Sequence, residues 1–175
     1  MSESVAIIGN GFCGILAFFR LLNSNQSRFS KIYLIDNGPQ STGGLAYGKS
    51  EDIHLLNVPA ARMSALPEDS DHFLRFARHI KPSIKGSDFV SRQIYSAYLR
   101  WLLESSKKKL YSNIKIFHIR GFATDISMGR NSEATIVLQS GKRIVANKIV
   151  LATGNQQSGN LRIASSVFLS ESRRY

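Results

Sequence analysis

The pattern Gly-x-Gly-x-x-Gly occurs once in the 175-residue chain, at Gly9-Asn10-Gly11-Phe12-Cys13-Gly14. An apolar segment, Ser4–Ile8, precedes the pattern, and a second one, Ile15–Leu22, follows it. This order predicts a strand, a tight turn and a helix that is buried against a sheet. Glycines at these three places permit the sharp bend, the close approach of a ligand to the backbone, and the packing of helix against strand.

A second strand is predicted at Lys31–Asp36, which completes a β-α-β unit with parallel strands. Asp36 follows Gly14 by 22 residues. An acid at this distance is typical of dinucleotide-binding units: its carboxylate accepts a hydrogen bond from a ribose 2′-hydroxyl, while N–H groups at the helix start bind the phosphates. Asn37 and Gly38 supply no arginine for a 2′-phosphate, so we expect FAD or NAD rather than NADP. The alternatives are a turn that binds nothing and an acid that only ends a strand.

The rest of the chain predicts two helices, a meander and a last strand. The two helices are Asp71–Ile80 and Ser91–Lys109. The remaining strands are Lys115–Ile119, then Phe122–Ser127, Ala134–Gln139 and Arg143–Val145 as an antiparallel meander, and finally Lys148–Ala152. We therefore expect an α/β fold with a Rossmann-like β-α-β unit, a parallel sheet, a helical insertion and an antiparallel β-meander.

The composition is that of a globular chain with a basic surplus. Hydrophobic residues make up 43% of the chain and charged residues 20%. The formal net charge is +11, of which +9 falls in residues 88–175. We interpret this surplus as a solvated surface, with attraction of a polyanion as the alternative. Aromatic and basic residues do not interleave as they do in RNA-binding segments, so no nucleic-acid partner is expected.

Several classes of protein are not expected from the sequence. No apolar run approaches the roughly 20 residues that span a bilayer, and no basic segment precedes the first apolar stretch, so we expect neither a membrane span nor a signal peptide. Cys13 is the single cysteine, and we interpret it as a packed residue of the turn. One cysteine permits no intrachain disulfide, which suits a cytoplasmic protein. No metal site is predicted, because ligand-like spacing is missing around the four histidines, His54, His72, His79 and His118. His72 and His79 are expected on a helix surface.

The middle of the chain carries a closer resemblance. Its segments are Gly44-Leu45-Ala46-Tyr47, His54-Leu55-Leu56-Asn57-Val58-Pro59-Ala60-Ala61-Arg62-Met63-Ser64 and Phe89-Val90-Ser91-Arg92-Gln93-Ile94-Tyr95-Ser96-Ala97-Tyr98-Leu99. They resemble the FAD/NAD(P)-binding family of flavoproteins, which is similar to the glutathione-reductase type and to flavin monooxygenases. The resemblance covers about residues 4–155 and implies an FAD-binding Rossmann-like domain at 1–155. The polar residues 156–175 are expected to form a disordered tail. Two departures from the family are Ser96 in place of a glycine and Phe18 in place of a small residue.

The resemblance implies which residues face each half of the cofactor. The residues expected at the ADP half of FAD are Gly9, Gly11, Phe12, Cys13, Gly14 and Asp36, with Ala123 near the adenine and Thr153-Gly154 passing the nucleotide. The residues expected on the flavin side are Asn57, Arg62, Met63 and Arg92. Arginines there can neutralise a pyrophosphate or a reduced flavin. Structural alternatives remain open: Asn57 as a turn residue, Met63 as core filler, and Arg92 as a helix-face cation.

The resemblance implies the FAD-binding portion of an NAD(P)H-linked oxidoreductase or monooxygenase-like protein that acts on an unknown small molecule. Such relatives carry a second glycine turn for NAD(P)H and a late Gly-Asp pair, and this sequence contains neither. We therefore expect a truncated relative or one half of a split protein, in which no catalytic residue can be named. The alternatives are an NAD-binding module or dehydrogenase and a non-enzymatic basic binding protein.

Overall fold

The computed structural model describes residues 3–24, 29–38, 42–48, 51–108, 114–129 and 133–154. In these ranges the strands are β1 (Glu3–Ile8), β2 (Phe29–Asp36), β3 (Lys115–Arg120), β4 (Ala123–Met128), β5 (Ala134–Leu138), β6 (Arg143–Ala146) and β7 (Lys148–Leu151). The helices are α1 (Phe12–Asn23), α2 (Gly44–Tyr47), α3 (His72–Ile80) and α4 (Arg92–Lys108), with a 3₁₀ helix at Ala60–Arg62. The predicted tail, residues 156–175, lies outside the described residues.

The strands form two sheets, as the α/β prediction requires. Four parallel strands pair in the order β3-β2-β1-β7, and three antiparallel strands pair in the order β4-β5-β6. Ile8 at the end of β1 lies opposite Ile35 on one side and Leu151 on the other. The carboxyl ends of three parallel strands therefore meet at one edge of the sheet, where ligands bind in open α/β sheets. The predicted fold class is confirmed.

The central strand β1 is buried on both faces. Val5 and Ile7 pack in a core with the helices, whereas Ala6 and Ile8 pack in a second core with the antiparallel sheet. Successive side chains of a strand point to opposite faces, so a strand covered on both sides needs apolar residues at every position. This requirement explains the continuous apolar run in the sequence.

The helical insertion packs through aromatic rings. Tyr98 of α4 is fully buried and contacts the rings of Phe73 and Phe76 on α3. Two large apolar side chains of these helices are partly exposed: Ile80 is 49% exposed and Trp101 is 45% exposed. Ile80 is the last residue of its helix, and Trp101 lies against the partly exposed ring of His72.

His72 was predicted to be a surface residue, and the structure places it only partly at the surface. His72 is half-buried, and its Nδ1 lies 2.7 Å from the hydroxyl oxygen of Tyr98. The backbone N–H of Ala65 also donates to that oxygen, at 3.3 Å. Burial raises the pKa of the Tyr98 phenol. His79 is exposed, as expected.

Candidate dinucleotide site

The glycine turn is a place where three backbone segments touch. Gly9 has a φ of +108°, and a Cβ there would lie 2.2 Å from the carbonyl oxygen of Ala152. A Cβ on Gly14 would lie 2.0 Å from the carbonyl oxygen of Gly9. Hydrogen bonds hold this contact, from Gly9 N to Ile35 O at 2.9 Å and from Ala152 N to Ile8 O at 2.8 Å. The first and third glycines are therefore required by packing.

The middle glycine has a different environment. Gly11 precedes α1 with φ −79° and ψ −171°, and a Cβ there would meet the Cα of Gly44 at 3.6 Å, an ordinary contact. The first helical hydrogen bond runs from Ile15 N to Gly11 O, at 3.0 Å. N–H groups in the first turn of a helix have no partner within the helix, and no acidic residue lies in the first turn of α1. This helix start is suited to a phosphate, through its N–H groups and its dipole.

Asp36 lies at the end of β2 with its carboxylate held from two sides. The backbone N–H of Gly38 donates to Asp36 Oδ1. His118 Nε2, on the neighbouring strand β3, lies 2.5 Å from Asp36 Oδ2. The Asp36 side chain is only 1% exposed. A charge so well buried needs hydrogen-bond donors, and these two donors hold the carboxylate in one orientation at the edge of the sheet.

An arginine also lies beside this acid, although none is near it in sequence. Arg120 ends β3 directly opposite Asp36, and its Nε lies 2.9 Å from the place of a Cβ on Gly38. Asn37 and Gly38 supply no arginine, but Arg120 lies beside Gly38 in space. The preference for FAD or NAD over NADP remains a prediction, which rests on the negative charge of Asp36 alone.

A second glycine-rich segment covers the glycine turn. The N–H of Gly43 donates to the carbonyl oxygen of Asn10 at 3.0 Å, and Gly43 pairs with Gly11 in a parallel bridge. The buried Asn10 side chain donates from Nδ2 to the Thr42 hydroxyl at 3.0 Å. Its Oδ1 is buried without a hydrogen-bond partner among the described residues. The second segment is thus attached to the turn by both backbone and side chain.

These elements enclose a cavity of about 370 Å³ at the carboxyl edge of the parallel sheet. This volume lies within the range of about 300–1,000 Å³ that is usual for small-molecule sites. Its lining residues are Ile8, Gly9, Asn10, Gly11, Ile35, Asp36, Asn37, Gly44, Gly121, Phe122, Ala123, Ala152 and Thr153. Five predicted site residues are therefore brought together: Gly9, Gly11, Asp36, Ala123 and Thr153.

The cavity fits the ADP half of a dinucleotide by its chemistry. At one point a helix start and a glycine without a side chain offer a place for phosphate. The buried carboxylate of Asp36 forms a second part of the wall. The third part of the wall is the backbone at Gly121–Ala123, beside the half-exposed ring of Phe122. Aromatic and apolar walls with a few polar groups are typical of cofactor sites.

The remaining residues predicted for the ADP half lie outside this cavity. Gly14 packs beneath Gly9, and Gly154 is exposed with a φ of +69°. Phe12 points to the helical core and stacks on Tyr95 with ring centroids 6.5 Å apart. Burial raises the pKa of the Tyr95 phenol. Cys13 is exposed, which differs from the packed residue expected.

The residues predicted for the flavin side also lie outside it. Asn57 and Arg62 are exposed, and Met63 packs against the helical core. Arg92 begins α4, where its backbone N–H donates to His54 O at 2.8 Å and its Nε donates to Leu55 O at 3.2 Å. Arg92 thus ties α4 to the 54–55 segment. The assignment of these four residues to the flavin remains a prediction.

The structure adds residues that the sequence argument did not single out as ligand contacts. They are Asn10, Gly44, Gly121, Phe122 and, through Asp36, His118. Asn10 and Gly44 carried a signal, since they lie within glycine-rich segments. His118 carried none, because nothing in its local sequence reveals that parallel pairing of β2 with β3 brings it to Asp36.

The described residues lack two kinds of feature. No helix in the described ranges is both long and apolar enough to cross a membrane. No three His, Cys, Asp or Glu residues in these ranges are grouped closely enough to hold a metal ion.

Comparison with known protein families decides the family of the chain. The model of the FAD-NAD(P)-binding family matches residues 6–156, which include every element of both sheets except the first residues of β1. The chain belongs to the FAD-NAD(P)-binding family. The resemblance seen in the sequence is thereby confirmed, and FAD and NAD(P) are the cofactors for which this family is named. No curated protein matches the chain in sequence.

Solved structures with this fold include several flavoprotein monooxygenases. Cyclohexanone monooxygenase from Rhodococcus sp. Phi1, bound to NADP+, shares 15% identity at a TM-score of 0.62, over 91% of this chain and 27% of its own. OTEMO, in complex with FAD and NADP, shares 15% at 0.61, over 95% and 28%. An oxidised steroid monooxygenase bound to NADP shares 17% at 0.61, over 91% and 27%. The TM-scores show that the domain shares the fold of these proteins, and identities this low support no more than that. The chain spans little more than a quarter of their length.

Proposed function

We propose that the chain binds FAD through the ADP half of the cofactor. The observation that carries the proposal is the single cavity that joins the glycine turn, Asp36 and the backbone at Gly121–Ala123. In this proposal the diphosphate lies on the N–H groups at the start of α1, and the adenosine ribose lies on the Asp36 carboxylate. The adenine would lie along Gly121–Ala123.

The residues of the chain would contribute binding and orientation. Gly11 lets the diphosphate approach the backbone, and the dipole of α1 offsets part of its charge. Asp36, held by two donors, accepts a hydrogen bond from the sugar. Bound FAD would supply hydride and electron transfer. We extend the proposal to the whole protein, as an oxidoreductase that uses NAD(P)H and acts on a small molecule. The chain itself spans only part of the monooxygenases that share its fold. A partner polypeptide with the remaining elements is part of this proposal.

A cytoplasmic location is also proposed, on the ground that one cysteine permits no intrachain disulfide. Separation of cell fractions with detection of the chain would test this point. Recovery from an extracellular or membrane fraction would contradict it.

The cofactor proposal is tested by titrating the purified chain with FAD, FMN and NAD. Flavin fluorescence and absorbance report the first two, and calorimetry reports all three. We expect FAD to bind more tightly than FMN, because FMN lacks the adenosine for which the cavity is formed. Asp36→Asn retains the shape of the side chain and removes its charge, so it should weaken FAD binding about tenfold, the value of one hydrogen bond to a charged group. Asp125→Asn, on the exposed meander, is the matched control and should leave binding unchanged.

The titration also separates the alternative function. The ADP half is common to FAD and NAD, so the cavity alone is compatible with an NAD-binding module. Tighter binding of NAD than of FAD would favour that module. A chain that binds neither, or whose FAD affinity does not change in Asp36→Asn, would show that the cofactor site has been misassigned.

A further inference from the structure

His118 contacts the acid that is proposed to bind the ribose. Its Nε2 lies 2.5 Å from Asp36 Oδ2. An ionised carboxylate only accepts hydrogen bonds, so the hydrogen between the two groups lies on Nε2. With Nε2 as the donor to an ionised Asp36, the contact orients the carboxylate.

The position of His118 on the sheet shows that it does not belong to the core. On the face shared with the helices, Ile32 lies opposite Ile116 and Leu34 lies opposite His118. Ile116 packs against the helical core on this face. His118, two residues further along β3, is a polar residue of the same face. The His118 side chain is 41% exposed, whereas that of Asp36 is 1% exposed. His118 thus contacts a buried charge from a partly solvated place on the edge strand.

Gly38 and His118 differ in what they can control at Asp36. Gly38 donates through its backbone to Oδ1, two residues along the same turn, whereas His118 contacts Oδ2 from the neighbouring strand. A carboxylate has about four lone-pair sites, so the donation from His118 does not by itself exclude a sugar hydroxyl. A fixed orientation also lowers the entropy lost when a ligand binds.

We propose that His118 is a positioning residue, which holds the Asp36 carboxylate in the orientation that receives the 2′-hydroxyl of the adenosine ribose. This inference rests on the proposed function, and it specifies how the ribose end of that site is organised. It also makes the sugar specificity of the site depend on β3, a strand that lies some 80 residues from β2 in sequence (residues 36 and 118).

The test compares ADP with 2′-deoxy-ADP on the full chain by calorimetry. Three variants are needed: His118→Leu removes the donor, His118→Gln keeps an N–H donor, and His79→Leu is the matched control on the exposed end of α3. We expect the wild-type chain to prefer ADP over 2′-deoxy-ADP. His118→Leu should weaken ADP about tenfold and 2′-deoxy-ADP less than about twofold. His118→Gln should recover most of the preference, and His79→Leu should match the wild type.

The outcomes separate this inference from the proposed function. If the wild-type chain binds neither FAD nor ADP, the proposed function fails. If the wild-type chain binds both but does not prefer ADP over 2′-deoxy-ADP, the inference is overturned. Equal weakening of the two nucleotides in His118→Leu would indicate a general structural role and would also overturn it. Tighter ADP binding in His118→Leu would mean that His118 competes with the sugar, which overturns it as well.

Discussion

The carbonyl oxygen of Gly9 stands 2.0 Å from the place that a Cβ of Gly14 would occupy. The strand end and the first turn of α1 are therefore in backbone contact. An alanine inside a helix is normally more stable than a glycine by about 1 kcal/mol. At Gly14 the sign should reverse, because the methyl group can be placed only by moving one backbone segment away from the other.

We predict that Gly14→Ala lowers the free energy of unfolding by about 2 kcal/mol or more, as overpacked sites commonly do. The urea midpoint, followed by circular dichroism, measures this change. Gly11→Ala is the control, since its Cβ would meet Gly44 Cα at 3.6 Å without a clash. A Gly14→Ala chain as stable as the wild type would contradict the backbone contact.

Gly11→Ala should separate ligand binding from folding. The added methyl group fits the protein but stands where a diphosphate would approach the backbone. We expect a change in the free energy of unfolding within about 1 kcal/mol and a loss of FAD affinity of about tenfold or more. Fluorescence titration with FAD measures the second effect. An unchanged affinity would mean that the diphosphate does not pass Gly11.

The side chains of Asn10 and Thr42 should be energetically coupled through their hydrogen bond. Both side chains are buried, and Nδ2 lies 3.0 Å from the hydroxyl oxygen. Thr42→Val keeps the shape but leaves the amide donor without its acceptor, which should cost about 1–3 kcal/mol.

A double-mutant cycle with Asn10→Ala measures this coupling. Removing both partners should cost less than the two single changes added together, with a coupling energy of about 0.5–3 kcal/mol. Additive effects would show that the 42–44 segment is held by its backbone bonds alone.

Tyr95 should make the fold sensitive to alkali. Burial raises the pKa of its phenol above the ordinary value of about 10. As the pH rises through the ordinary value, the unfolded chain loses its proton first, so unfolding is favoured. The stability that is present below about pH 10 should therefore decline above it. Tyr95→Phe removes this ionisation and should lose less stability between pH 8 and pH 10.5 than the wild type does.

Thermal midpoints at the two pH values measure the alkaline loss. Tyr33→Phe, on the half-buried ring of β2, controls for the removal of a hydroxyl group. An alkaline loss in Tyr95→Phe as large as that of the wild type would show that Tyr95 does not contribute to it.

Much of the architecture follows from local patterns. The apolar run at β1, the glycine turn, the apolar segment after it and the second strand predicted the β-α-β unit. The alternation of polar turns predicted the β4-β5-β6 meander, and both sheets are as expected. One helix boundary differs from the prediction: α1 begins at Phe12, within the turn, rather than at Ile15. Glycine at its N-terminus makes no side-chain cap that could mark the boundary.

The amino-acid sequence by itself determined the family, the order of the elements, and two parts of the site, the glycine turn and Asp36. These depend on residues that are near in sequence, so their spacing carries the information. Only the tertiary structure decided what faces Asp36. His118 contacts it and Arg120 lies opposite it on the neighbouring strand, because β2 and β3 pair in parallel with a fixed register. Thr42 contacts Asn10 because one glycine segment packs on another. Contacts of this kind arise from long-range pairing and packing, whose partners no local pattern specifies.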